Sequence, residues 1–208
     1  MNVFVLCTGR CGSVTFARAS GHATNFSAGH ETRSGVVGDG RMAYPPRHIE
    51  ADNRLSWMLG RLERAYGDDA FYVHLRRDAE ATARSLLKRY GRGIIRAYQA
   101  AILLDCPDDA DPMEVCLDYC HTVNSNIEHF LGNKSRVMTV RLESARDDFQ
   151  DFWRAIGATG DLSAALGEFD VKHNASKPKW GLWRGLRGSS VSGLAPLFRD
   201  PPFRGRAA

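Results

Sequence analysis

No apolar run in this chain approaches the roughly 20 residues that a bilayer-spanning helix needs. The first apolar stretch, Val3 to Leu6, is too short for the hydrophobic region of a secretion signal. A soluble, cytoplasmic protein with no membrane span is therefore expected. Cysteines are scarce: Cys7, Cys11, Cys106, Cys116 and Cys120 make an odd number in a chain of 208 residues, so reduced thiols rather than a disulfide framework are expected. Repeats of solenoid period and single-residue tracts are missing, which excludes repeat architectures and low-complexity segments. The dipeptide Gly-Lys followed by Ser or Thr occurs nowhere. That absence counts against a magnesium-dependent P-loop ATPase or kinase, whose lysine must reach the outer phosphates.

What remains is the composition of a globular protein, 43% hydrophobic and 25% charged, which can bury a core unaided. The formal net charge is +4, with basic residues concentrated after Val171, and this favours an anionic ligand. Nothing in the pattern calls for nucleic acid as a partner.

Asn2 to Cys7 is a short apolar run rich in β-branched and aromatic residues, and it reads as a buried strand. A small polar loop, Thr8 to Ser13, leads into a helix from Val14 to Ala19. Helical spacing of apolar residues recurs over Asn53 to Tyr66, and Ala70 to Leu75 is a second strand followed by a helix over Asp78 to Tyr90. The acidic, proline-bounded stretch Asp105 to Pro112 precedes a helix with an apolar stripe from Cys116 to Leu131. Arg136 to Leu142 is a third strand and Ser144 to Ile156 a further helix. Strands alternating with helices imply an α/β fold, a mainly parallel sheet covered on both faces. One domain is expected over residues 1–187, with an irregular Arg/Gly/Pro-rich segment over 188–208.

A strand that ends in a Gly-containing loop and enters a helix aims backbone N–H groups and the positive helix end at one spot, which suits phosphate or sulfate. Arg10-Cys11-Gly12-Ser13-Val14-Thr15 occupies that position. Gly12 allows close approach of an anion, Ser13 and Thr15 offer hydroxyls, and Arg10 offers a charge to a leaving oxygen. The loop resembles that of the sulfotransferases that use 3′-phosphoadenosine 5′-phosphosulfate (PAPS), Lys/Arg-Ser-Gly-Thr/Ser-Thr, with Cys11 in place of the serine and Val14 in place of the second threonine. The resemblance implies a three-layer α/β/α fold, PAPS as donor, 3′,5′-adenosine bisphosphate (PAP) as product, and no metal.

The same family grips the 3′-phosphate with a strand-end arginine and a serine eight residues later. Arg77 and Ser85 have that offset, and Arg77 follows the strand whose carboxyl end faces ligands in open α/β sheets. Arg76 competes with Arg77 for this role. Gly29-His30-Glu31-Thr32-Arg33 resembles the Gly-Glu-Glu-Thr-Arg segment of the tyrosylprotein sulfotransferases, which implies Glu31 as general base toward an acceptor hydroxyl. His30, Arg33 and Glu50 are candidate substrate-binding residues; His30, His48 and Glu50 are also rival bases, with His48 ranked second after Glu31. Cys116, Cys120 and His121 lack the second ligand pair that structural zinc requires. Lys177, Lys179 and Trp180 lie where members of the family close a basic, aromatic loop over the nucleotide. A noncatalytic nucleotide-binding protein is the alternative, and a P-loop-type kinase a more distant one. The acceptor and the oligomeric state are left open by the sequence.

Overall fold

In a computed structural model of the chain, residues 1–171 and 173 are described. Lys177, Lys179, Trp180 and the whole of 188–208 lie outside the described residues. Five strands form one sheet in the order β2-β3-β1-β4-β5, and every neighbouring pair is parallel. The strands are β1 (Val3–Cys7), β2 (Ser27–His30), β3 (His48–Ala51), β4 (Phe71–Arg76) and β5 (Val137–Arg141). The helices are α1 (Ser13–Ser20), α2 (Leu59–Tyr66), α3 (Ala79–Leu87), α4 (Gly93–Ala97), α5 (Pro112–Leu131), α6 (Ala145–Ala155) and α7 (Leu162–Gly167).

Alternation along the central strands divides the core. Phe4, Leu6 and Tyr72 face one side and pack with Leu62 of α2, Leu86 of α3 and the stripe Cys116, Tyr119, Val123 and Ile127 of α5. Val3, Val5, Cys7 and Val73 face the other side, against Phe16 of α1 and Phe149, Phe152 and Trp153 of α6. Each such side chain taken from water contributes about 1.5–3 kcal/mol, so burial on both faces fixes β1 as the centre of a three-layer sandwich. The expected α/β class is thus observed, with a sheet that is parallel throughout.

Two strands were not expected. β2 and β3 are four residues each and carry Ser27, Gly29, His30, His48 and Glu50, so no apolar run announces them. Polar side chains support the pair: Ser27 Oγ of β2 meets His48 Nδ1 of β3 at 2.8 Å, and within β3 His48 Nε2 meets Glu50 Oε2 at 2.8 Å. The helix expected over Asn53 to Tyr66 is divided into a 3-10 turn, Asn53–Trp57, and α2. Asp52 starts that turn by accepting from the backbone N–H of Arg54 at 2.8 Å. The helix expected to run to Tyr90 stops at Leu87, and an α4 segment with a π-turn, Tyr98–Ile102, follows.

Candidate active site

The loop after β1 is held from beneath. The hydroxyl of Tyr119 on α5 accepts from the N–H of Gly9 at 3.0 Å, and the Cys11 thiol donates to the carbonyl of Thr8 at 2.9 Å. Cys11 is completely buried, so its side chain belongs to the core and does not line the cleft above. Arg10 adopts φ 69° and Gly12 φ 97°, both in the left-handed region. At Gly12 a Cβ would stand 2.7 Å from Leu142 Cδ1, so glycine is what permits the tight turn beside β5.

Gly12 is also the N-cap of α1, where neither a capping side chain nor an acidic residue in the first turn compensates the positive end of the helix. Ser13, Val14 and Thr15 of that first turn line a cleft of about 960 Å³, together with Arg10 and Gly12. The cleft lies outside the carboxyl ends of the strands, near the boundary where the chain, having built β2 and β3 on one side of β1, crosses to β4 on the other. In open parallel sheets this switch point is where ligands bind.

Arg77 and Ser85 line the same cleft. Arg77 reaches back to the loop and donates from Nη1 to the carbonyl of Arg10 at 3.1 Å. Ser85 accepts from Arg10 Nε at 3.1 Å, so Arg10 spans from the α1 loop to α3. Arg76 turns the other way, into an ion pair with Glu128 of α5 at 2.8 Å, which leaves Arg77 as the strand-end arginine of the cleft. The cations crowd one another. Partial burial, then the facing guanidinium groups of Arg89 and Arg77, pull Arg10 below the ordinary arginine value. A site that disfavours its own positive charge favours an anion that neutralises it.

Glu31 follows β2 directly. Its N–H donates to the carbonyl of Ala51 at 3.1 Å, and its φ of 53° turns the chain out of the sheet toward the cleft. Arg54 Nη1 stands 2.6 Å from Glu31 Oε2, and Asn53 Nδ2 donates to Glu31 Oε1 at 2.7 Å. His30 lines the cleft beside it, with Nε2 at 3.0 Å from Ser13 Oγ.

Three residues expected at the reaction centre are elsewhere. His48 is 6% exposed and Glu50 fully buried, and neither lines the cleft. They share the face of β3 opposite Ile49 and Ala51, where His48 stacks on the Tyr44 ring and Glu50 pairs in register with Gly29 of β2. Glu50 accepts from both the N–H and the hydroxyl of Thr32 at 2.7 Å and so secures the turn that carries Glu31. Burial alone would raise the Glu50 carboxyl, but the hydrogen bonds from His48 and Thr32 outweigh it and hold the group below the usual carboxylate range. Arg33 donates to the carbonyl of Gly40 at 2.9 Å and lies over the Tyr44 ring, away from the cleft.

Other lining residues carry weaker signals in the sequence. Lys88, Arg89 and Arg92 follow α3 and add positive charge to the cleft. The signal was present as a basic tract, Lys88 to Arg92, starting three residues after Ser85. Asn53 and Arg54 gave no signal, since only the adjacency of β2 and β3 brings them to Glu31. Cys116 and Cys120 pack on the apolar stripe of α5, and burial pushes their thiols up to about 11 and about 12. These are core thiols, not thiolate ligands.

No family model matches the chain, and no curated protein matches it. Among solved structures, the chain is similar to the sulfotransferase domain from the curacin biosynthetic pathway, with a TM-score of 0.58 and 12% sequence identity. The match covers 79% of this chain and 75% of that one. The fold is a sulfotransferase fold. Its central strand, β1, delivers the Arg10–Thr15 loop to the middle of the cleft, and β4 delivers Arg77 beside it. Among the described residues, no helix of this fold is long and apolar enough to cross a membrane.

Proposed function

We propose that the cleft is the active site of a PAPS-dependent sulfotransferase acting on a hydroxyl acceptor. The observation that carries this reading is convergence: a loop-to-helix anion site, a second arginine-serine pair and a carboxylate, far apart in the chain, line one cavity. The residues suit a nucleotide that carries anionic groups at both its 5′ and its 3′ positions. Arg10, Gly12, Ser13, Val14 and Thr15 receive the 5′-phosphosulfate, with the uncompensated end of α1 and the close approach at Gly12 as the basis of that assignment. Arg77 and Ser85 receive the 3′-phosphate, and Arg89 adds to the charge that an anion would relieve.

In the reaction, the acceptor oxygen forms a bond to sulfur while the bond from sulfur to the phosphate oxygen breaks, its electron pair staying on the phosphate. The acceptor proton passes to Glu31 as general base, and Arg10 stabilises the charge that develops on the departing phosphate. His30, beside Ser13 and Glu31, is the other basic group placed to meet the acceptor.

The test is transfer from radiolabelled PAPS to a panel comprising a phenol, a tyrosyl peptide, a monosaccharide and a primary alcohol. Labelled product is expected from at least one acceptor, with Glu31→Gln lowering kcat by at least about 100-fold while PAP binding is kept. Full activity in Glu31→Gln would transfer the base role to His30. Nucleotide binding without any transfer would place the chain with noncatalytic nucleotide-binding proteins.

A further inference from the structure

The turn that carries Glu31 has a property the transfer reaction does not itself require. Both carboxylate oxygens are engaged by consecutive residues of the neighbouring strand's continuation: Oε1 by Asn53 Nδ2 at 2.7 Å and Oε2 by Arg54 Nη1 at 2.6 Å. The Arg54 contact is an ion pair without hydrogen-bond geometry, whereas Asn53 donates a hydrogen bond. These two residues are themselves fixed. Asp52 accepts from the N–H of Arg54 at 2.8 Å, and its other oxygen pairs with the buried Arg41 at 2.6 Å. Ser56, in the same 3-10 turn, donates to the carbonyl of Cys7 at 3.2 Å and ties the turn to the end of β1.

The arrangement is not explained by stability alone. Asn53 is 7% exposed, yet its Oδ1 has no hydrogen-bond partner among the described residues. Leaving a buried amide oxygen unsatisfied is unfavourable, and such atoms call for an explanation. Here the amide is turned so that its N–H serves Glu31. Glu31 in turn holds a left-handed backbone conformation that a glutamate does not adopt readily.

We propose that Asn53 and Arg54 are positioning residues that hold the Glu31 carboxylate in the cleft, with Arg54 the principal one. Each carboxylate oxygen has a second lone-pair site, so a carboxylate gripped from behind still accepts a proton from an acceptor in front. The pair fixes direction, and direction decides whether the base meets the acceptor oxygen at hydrogen-bond distance. This inference rests on the reading of Glu31 as the base.

Arg54→Ala is expected to lower kcat for transfer from PAPS by about 100-fold, the scale of a misplaced catalytic group, with KM for PAPS and the PAP dissociation constant unchanged. Added guanidinium ion is expected to restore part of the rate to Arg54→Ala. In the Glu31→Gln background, Arg54→Ala is expected to cause no further loss, because the two act as one unit. A multiplicative loss in the double variant would overturn the inference by showing that Arg54 acts on the ligands directly, and so would a normal kcat in Arg54→Ala. Full activity in Glu31→Gln would instead defeat the reading of Glu31 as base. A crystal structure of Arg54→Ala provides a readout without turnover. The Glu31 carboxylate is expected to have left its place in the cleft, and an unmoved carboxylate overturns the inference.

Discussion

At Glu50, a buried charge supports a strained turn instead of taking part in chemistry. Its folded-state pKa lies below the ordinary carboxylate value, so its contribution to stability is complete above that value and is lost as pH falls through the lower, folded one. The thermal stability of the wild type should therefore fall as the pH drops through the ordinary carboxylate range and below it. Glu50→Gln should be less stable near neutral pH and should show a shallower decline across that window. An unaltered pH dependence in the variant would mean that Glu50 contributes no linkage. Gly12 and Glu31 illustrate how unevenly single residues disclose themselves. Gly12 stood out because a glycine between a strand and a helix has few other reasons to be there, whereas the support of Glu31 by Asn53 and Arg54 had no trace in spacing.

Among the elements, legibility follows the source of each strand's burial. β1 and β4 are legible because buried apolar side chains hold them in the sheet, and β5, an edge strand with only Val140 buried, is legible from its β-branched run. β2 and β3 were invisible because their cohesion comes from Ser27, His48, Glu50 and Thr32, polar residues that read as a loop or as a second set of catalytic groups. That is why His48 and Glu50 were expected in the cleft. α3 offers the clearest test at this scale. Asp78 caps it by accepting from the N–H of Ala81 at 2.8 Å, and the helix carries Ser85 to the cleft. Asp78→Ala should lower unfolding free energy by about 1 kcal/mol in urea denaturation, with an unchanged m-value. A loss much below that would mean the cap is not the element's anchor.

For the molecule as a whole, the sheet order concentrates the charged residues at one place. The chain visits β1, then β2 and β3, then β4 and β5, and the loop after β1 and the turn after β4 consequently share one crevice. The net charge of +4 is modest, but Arg10, Arg77, Lys88, Arg89 and Arg92 meet in that crevice. The central claim is that two separate anion sites there recognise one nucleotide bearing a 3′-phosphate. Calorimetric titration with PAP, beside 5′-AMP and magnesium-ATP, tests it most directly. PAP is predicted to bind at least about tenfold more tightly than 5′-AMP, a difference of about 1.4 kcal/mol, and Ser85→Ala to narrow that gap. Equal affinity for PAP and 5′-AMP, or a preference for magnesium-ATP, would contradict the account.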